Sequence, residues 1–207
     1  MDLKIYNTGF LDVNTYLLTD METKESVIID LGGDYTPILK DVEMMGSKIK
    51  FILNTHGHFD HILGEGNFQK KYPEIPIYMH EKDTFHLEKM QEEIKMWGFS
   101  EKAPNIKMTY IDESSELSIG EHKIHVLYTP GHSAGGLCFY TDNTLFSGDS
   151  LFQRSIGRTD FYDGDFDTLI SSIKTKLLIL DDSTNVYPGH GPKTTIREEK
   201  KYNTYLK

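Results

Sequence analysis

The segment Thr55-His56-Gly57-His58-Phe59-Asp60-His61 offers three imidazoles and one carboxylate within six residues. Neutral imidazole nitrogens and carboxylate oxygens are the donors that zinc and other first-row divalent ions take. Closely spaced side chains can close on one point where a strand ends in a tight turn. Gly57 helps there, because it adds no side chain and permits unusual backbone angles. Four donors exceed what one tetrahedral ion with an open position needs, so a two-metal site completed from elsewhere is the natural expectation. Three further stretches fit it: Thr129-Pro130-Gly131-His132, Ser147-Gly148-Asp149 and Tyr187-Pro188-Gly189-His190-Gly191. Each sets a His or Asp directly after a Gly that ends an apolar run, and loops of this kind carry binding and catalytic groups. A lone His beside Gly is ordinarily a surface loop residue; four such elements in one chain are improbable as coincidence. His80, His86, His122 and His125 lack the setting and read as structural or exposed.

The elements that must position these loops follow from periodicity. Strands are expected at 3–10, 14–19 and 26–30, with 21–25 as a hairpin connector. The run VIIDLGGD stops at Asp30 and two glycines, which puts Asp30 at a strand end facing a turn. Ile38, Leu39, Val42 and Met45 recur at helical spacing over 36–45. Residues 49–55 read as a buried strand feeding directly into the His-rich segment. A short helix is expected at 62–71, a strand at 76–80 and the longest helix at 83–97. The second half repeats the style, with strands near 107–111, 116–119, 123–129, 136–141 and 144–147. A helix at 166–178, a strand at 184–187 and a polar helical tail over 194–206 complete it. Strand clusters alternating with helices in both halves indicate α/β layers built on two sheets.

Composition limits the function classes. The chain has 207 residues, 38% hydrophobic and 26% charged, the make-up of a soluble globular protein, and its length suits a single domain over 1–207. The formal net charge is −10. Affinity for nucleic acid comes largely from Lys and Arg neutralising phosphates, so no nucleic-acid partner is expected. Apolar runs such as Leu177–Leu180 fall far below the ~18 residues of a membrane span, and no signal peptide is visible, so a cytoplasmic location without membrane attachment is expected. The single cysteine, Cys138, cannot form an internal disulfide and reads as a small core residue. Oligomeric state is not legible.

The order THxHxDH, PGHS, SGDS, PGHG resembles the metallo-β-lactamase superfamily across nearly the whole chain. The resemblance implies an αββα four-layer sandwich, two mixed β-sheets with helices on the outer faces and metals at one edge between them. It implies one metal held by His56, His58 and His132, a second by Asp60, His61 and His190, and Asp149 bridging the two. Zinc is the first expectation, with iron or manganese compatible with the same donors. Asp30 corresponds to a strand-end Asp of the family and would stand behind a ligand imidazole; its other reading is a turn-initiating carboxylate. The family's Asp-Pro-Gly is Asp30-Leu31-Gly32 here.

Within the superfamily, Ser150 to Asp165 is most similar to small glyoxalase II-type proteins, which hydrolyse acylated glutathione thioesters. The resemblance then implies a small-molecule thioester substrate. A hydroxide bridging the metals would attack the carbonyl, and Asp60 would be both ligand and catalytic residue that orients the nucleophile. The same Gly-Arg-Thr-Asp element occurs in persulfide dioxygenases, which use one iron, and the seven donors are compatible with either enzyme. The best-known zinc β-lactamases place Cys where Asp149 stands. Full-length glyoxalase II adds a helical domain that grips glutathione. Seventeen residues follow His190 here, so another thiol carrier or a broader acyl thioester stays open. Arg158 is the candidate for holding a substrate carboxylate, since guanidinium offers a bidentate fork; its alternative is a loop salt bridge to Asp160 or Asp163. Arg154 is a weaker candidate of the same kind, and Tyr162 and Tyr187 could line the mouth.

Overall fold

A computed structural model describes residues 1–207. The first half forms one six-stranded sheet in chain order. Its strands are β1 (Asp2–Thr8), β2 (Val13–Thr19), β3 (Glu25–Ile29), β4 (Lys48–Leu53), β5 (Ile77–Met79) and β6 (Thr109–Tyr110). β1 to β3 pair antiparallel, and β3 to β6 pair parallel. The parallel steps are crossed by α1 (Thr36–Met45), then by the short α2 (Phe59–Ile62) and α3 (Glu65–Lys71), then by α4 (Thr84–Met96).

The second half forms another mixed sheet. It contains β7 (Leu117–Ile119), β8 (His122–Tyr128), β9 (Leu137–Thr141) and β10 (Thr144–Gly148). A hairpin of β11 (Leu151–Phe152) and β12 (Ser155–Ile156) and the helix α5 (Phe166–Ser172) lead to β13 (Asn185–Pro188), β14 (Thr194–Thr195) and α6 (Ile196–Tyr202). The sheet order is β14-β13-β10-β9-β8-β7, and the single parallel pair is β10 with β13.

Alternation along the strands explains the layering, since successive side chains point to opposite faces. Tyr16, Leu18, Val27, Ile29, Phe51 and Leu53 face inward and meet Ile124, Val126, Leu137, Phe139 and Phe146 of the other sheet. The intervening Leu17, Ile28 and Ile52 face outward and are covered by Ile38 of α1, Phe68 of α3 and Met90 and Ile94 of α4. On the far side Cys138, Leu145 and Val186 are covered by Leu169 of α5, Ile173 and Leu177 beyond it, and Ile196 of α6. The result is the αββα sandwich. Each such side chain contributes roughly 1.5–3 kcal/mol on burial, so three apolar layers hold the fold without help from a metal.

The structure departs from the sequence reading at three helices. The helix expected over 62–71 is two helices, because Gly64, a poor helix residue, donates its N–H to the Leu31 carbonyl and docks the chain on the preceding turn. The helix over 166–178 stays regular only to Ser172 and then widens into a π turn over Ile173–Leu177. The tail is not one helix: Thr194–Thr195 pairs with β13 as an edge strand before α6 begins. No helix is long and apolar enough to cross a membrane.

Candidate metal centre

β4 ends at Leu53 and delivers Thr55 and His56 to the sandwich edge. His58 keeps extended backbone ahead of α2 (φ −63°, ψ 142°), and the first turn of α2 swings Asp60 and His61 back toward His56. Gly57 matters for room rather than for angle. A Cβ there would stand 2.9 Å from the Asp83 carbonyl oxygen, while its N–H donates to the Asp83 carboxylate at 2.8 Å. Its φ is not positive, so the unusual angles expected of it are not used. From the second half, His132 follows β8, Asp149 follows β10 and His190 follows β13. A Cβ on Gly189 would lie 2.2 Å from Asp149 Oδ1 and 2.7 Å from His61 Cε1, so only glycine lets this backbone pass beneath the cluster.

Four of the five imidazoles are anchored through Nδ1. His132 donates to the Arg158 carbonyl at 2.7 Å and His190 to the Leu11 carbonyl at 3.0 Å. His61 Nδ1 lies 2.9 Å from Asp30 Oδ2, and His56 Nδ1 lies 3.0 Å from Thr55 Oγ1. Thr55 Oγ1 in turn donates to Asp30, leaving its lone pairs for His56. A proton on each Nδ1 leaves each Nε2 as a lone pair directed at the centre. His58 is turned the other way, its Nδ1 3.0 Å from His132 Nε2. His61 and His190 face each other at 3.3 Å between Nε2 atoms. Asp60 Oδ2 is 3.3 Å from His190 Nε2 and 3.7 Å from His61 Nε2. Asp149 reaches three rings, with oxygens 3.5 Å from His61, 3.6 Å from His132 and 3.7 Å from His190.

The donor set fits metal. His56 Nε2 and Asp149 Oδ1 are buried without any hydrogen-bond partner, and unmade polar contacts in a protein interior are costly. Facing imidazole lone pairs at 3.0 Å repel unless a cation or proton lies between them. Within the cluster, three groups have donor atoms within 4.8 Å of one another and could each hold an ion: His56 with His58 and His132; His56 with His61 and Asp149; Asp60 with His61 and His190; a fourth such group, Asp83 with His86 and Asp163, lies beside them.

Electrostatics differ across the cluster. Burial, then the neighbouring imidazoles, push His56 and His58 well below the usual histidine range. Burial also pulls His61 down, but Asp60, Asp149 and Asp30 around it outweigh that and hold it up at about 10. His190 is raised in the same way: burial opposes, and the hydrogen bond to Asp60 with the charge of Asp149 prevails. Burial raises Asp60, and His61 and His190 more than reverse it, leaving its carboxyl below the usual range.

The metallo-β-lactamase superfamily model matches residues 8–190. The chain belongs to that superfamily. It is 37% identical over 214 residues to hydroxyacylglutathione hydrolase GloC of Haemophilus influenzae, covering 100% of this chain and 98% of the relative. Of the solved structures, the BLEG-1 B3 metallo-β-lactamase is 36% identical with a TM-score of 0.86, covering 99% of each chain. TTHA1623 in a di-iron-bound form is 34% identical with a TM-score of 0.87, covering 98% of this chain and all of the other. The superfamily binds divalent metal ions, and its members place this chain among the metal-dependent hydrolases.

Against that superfamily pattern, all seven donors singled out in the sequence meet at one point, and Asp30 stands behind them. Asp30 takes a left-handed conformation (φ 56°) at the end of β3, and its carboxylate accepts from Thr55 N at 2.8 Å and Thr55 Oγ1 at 2.7 Å besides meeting His61. Arg158 lies at the cleft rim, but its guanidinium makes two 2.9 Å bonds to Asp160 and rests on the Phe161 ring. The loop salt bridge is therefore the contact present, with Asp160 and not Asp163. Tyr162 is at the mouth, 89% exposed. Tyr187 instead packs against Tyr16 and Phe146 in the core, and Arg154 rests on Tyr202, away from the cleft. Cys138 is buried in the sheet, and burial lifts its thiol to about 11.

Sequence reasoning missed the support around His58. Asp83 is buried and accepts from Gly57 N, Ser133 Oγ and Gly135 N, joining the two ligand loops. His86 packs on the His58 ring and bonds Glu93 and Asp163, consistent with a structural part. No local motif marks either residue. The one available signal was α4 itself, whose period puts Phe85, Lys89, Glu92 and Met96 on a face that the structure turns to the cleft.

Proposed function

We propose that the protein is a two-metal thioester hydrolase of the hydroxyacylglutathione type, with zinc as the first choice of metal. The observation that carries this is the convergence of His56, His58, His61, His132, His190, Asp60 and Asp149, with four of the five rings already anchored through Nδ1. We assign His56, His58 and His132 to one ion, Asp60, His61 and His190 to the other, and Asp149 to both. Metals bound there would lower the pKa of water into the neutral range and polarise a carbonyl oxygen.

The chain's own groups do the rest. Asp60, held ionised between His61 and His190, can accept a hydrogen bond from the attacking water and fix its direction. A thiolate is a good leaving group, so no strong general acid is demanded; no Cys lines the cleft, and its one serine, Ser155, donates its hydroxyl to the Ile156 carbonyl at 3.4 Å. Arg158 is the one arginine at the mouth. Its ion pair with Asp160 is more than half exposed, and such pairs are worth only ~0–1 kcal/mol, so a substrate carboxylate can replace Asp160 at little cost.

The test is metal analysis with parallel assays on the same preparation: S-lactoylglutathione cleavage under argon, oxygen uptake with glutathione persulfide, and hydrolysis of a chromogenic β-lactam. Two metals per chain with oxygen-independent thioester cleavage is the expected result. One iron with oxygen uptake would replace this reading with the persulfide dioxygenase, and β-lactam turnover alone would replace it with a lactamase. Arg158→Ala should raise KM for the glutathione thioester about ten- to hundredfold with full metal content, the loss of one charge-assisted contact.

A further inference from the structure

The cleft above the cluster has a volume of about 560 Å³, and its wall is far more apolar than a small hydroxy acid requires. On one side α4 and the residue after it contribute Phe85, Met96 and Trp97; Phe152, Phe161 and Tyr162 also line it. Met96 and Trp97 are 74% and 41% exposed, and Tyr162 stacks on Phe85 at 5.1 Å, so these groups form an open surface rather than a core. Contiguous exposed apolar groups beside a site mark a ligand surface.

Charge sorts the two arms of a substrate. The α4 wall carries Glu92 and Glu93, each already paired on the same helix: Lys89 lies 3.2 Å from Glu92 and His86 lies 2.8 Å from Glu93. Glutathione carboxylates find their one bidentate partner in the Arg158 guanidinium at the rim. The other arm, the acyl group, is left to the wall of Phe85, Met96 and Trp97.

Resting on the thioester reading above, we infer that the acyl group is aromatic or comparably bulky and apolar, and that Trp97 and Met96 select for it. Burying a phenyl ring in place of a methyl group favours the larger substrate by about ten- to hundredfold.

S-mandeloylglutathione and S-lactoylglutathione differ only in that exchange. The metal-loaded protein should show kcat/KM about ten- to hundredfold higher for the mandeloyl ester, and Trp97→Ala and Met96→Glu should each bring the ratio toward one. Trp97 is the only tryptophan in the chain, so its fluorescence gives a readout that needs no turnover. The non-cleavable thioether S-phenacylglutathione should shift that emission at concentrations at least tenfold below those needed with S-acetonylglutathione. The shift should weaken in Met96→Glu, which keeps Trp97. Equal turnover of the two esters, or equal affinity of the two thioethers, overturns the inference while leaving thioester hydrolysis standing. Preferential phenacyl binding without cleavage of either ester supports the apolar acyl site and overturns the hydrolase reading instead.

Discussion

His56, His58 and His132 present only imidazole nitrogens, whereas the group around His61 adds Asp60 and Asp149 and has Asp30 directly behind it. In the first group, burial and then the neighbouring imidazoles keep His56 and His58 neutral. The second is kept protonated by carboxylates. Metal ligation needs the neutral imidazole. Two halves of one centre, a few ångströms apart, are thus prepared differently: one is ready for a cation, and the other must first lose a proton. The carboxylates that hold the proton are also those that would neutralise the incoming ion, so the second half trades one positive charge for another.

The most damaging break is Asp149→Ala. Its oxygens face rings of both halves, and its charge offsets repulsion between two ions. Both metals should be lost, more completely than in any single histidine variant, as read by metal analysis after desalting. Wild-type metal content would show that Asp149 does not join the halves. Next in size, His132→Ala and His190→Ala should each leave close to one metal per chain, with opposite halves emptied. Loss of both from either would mean that the halves do not fill independently.

Asp30→Asn sharpens the contrast. It keeps an oxygen for Thr55 but removes the charge behind His61, and such supporting partners are worth about 10- to 100-fold in metal affinity. Only the metal held with His61 should show the change, and equal weakening of both would erase the distinction. The smallest effect is in pH. With His61 at about 10 in the metal-free protein, binding at the second half releases its proton at any pH below that, and affinity should fall roughly tenfold per pH unit as pH drops. The first half, with His56 and His58 neutral, should show no such slope from these rings near neutral pH. Calorimetry in buffers of differing ionisation enthalpy counts the protons, and equal release at both steps would contradict the electrostatic difference.

Much of this centre was legible in the chain because three imidazoles and a carboxylate crowd into 56–61, and because His132, Asp149 and His190 each follow a glycine at the end of an apolar run, where β8, β10 and β13 do end. Asp30 was legible for the same reason, as the stop of β3. The two sheets could be read from strand spacing, and the inward alternation of Tyr16, Leu18, Val27 and Ile29 agrees with it. Asp83 and His86 were not legible, since their side-chain contacts beyond the His86–Glu93 bond within α4 span 26 to 77 positions and depend on α4 lying beside the ligand loops. The split between α2 and α3 was hidden as well, because it depends on a tertiary hydrogen bond from Gly64 to Leu31. Arg158 shows the same limit at short range: its spacing from Asp160 permits a pair, and only the fold shows that the pair is made.

The ligands are drawn from His56 at one extreme to His190 at the other, and each sheet supplies part of every pair of facing rings. A partly made chain holds His56, His58 and His61 but lacks their opposite numbers. It therefore offers a passing ion a loose, solvent-screened grip instead of a closed one. Loading waits for both sheets to be complete and stacked, so metal content becomes a record of finished folding. Cells making this protein in metal-poor conditions should accumulate folded, empty molecules that fill later, not aggregates stalled for want of an ion.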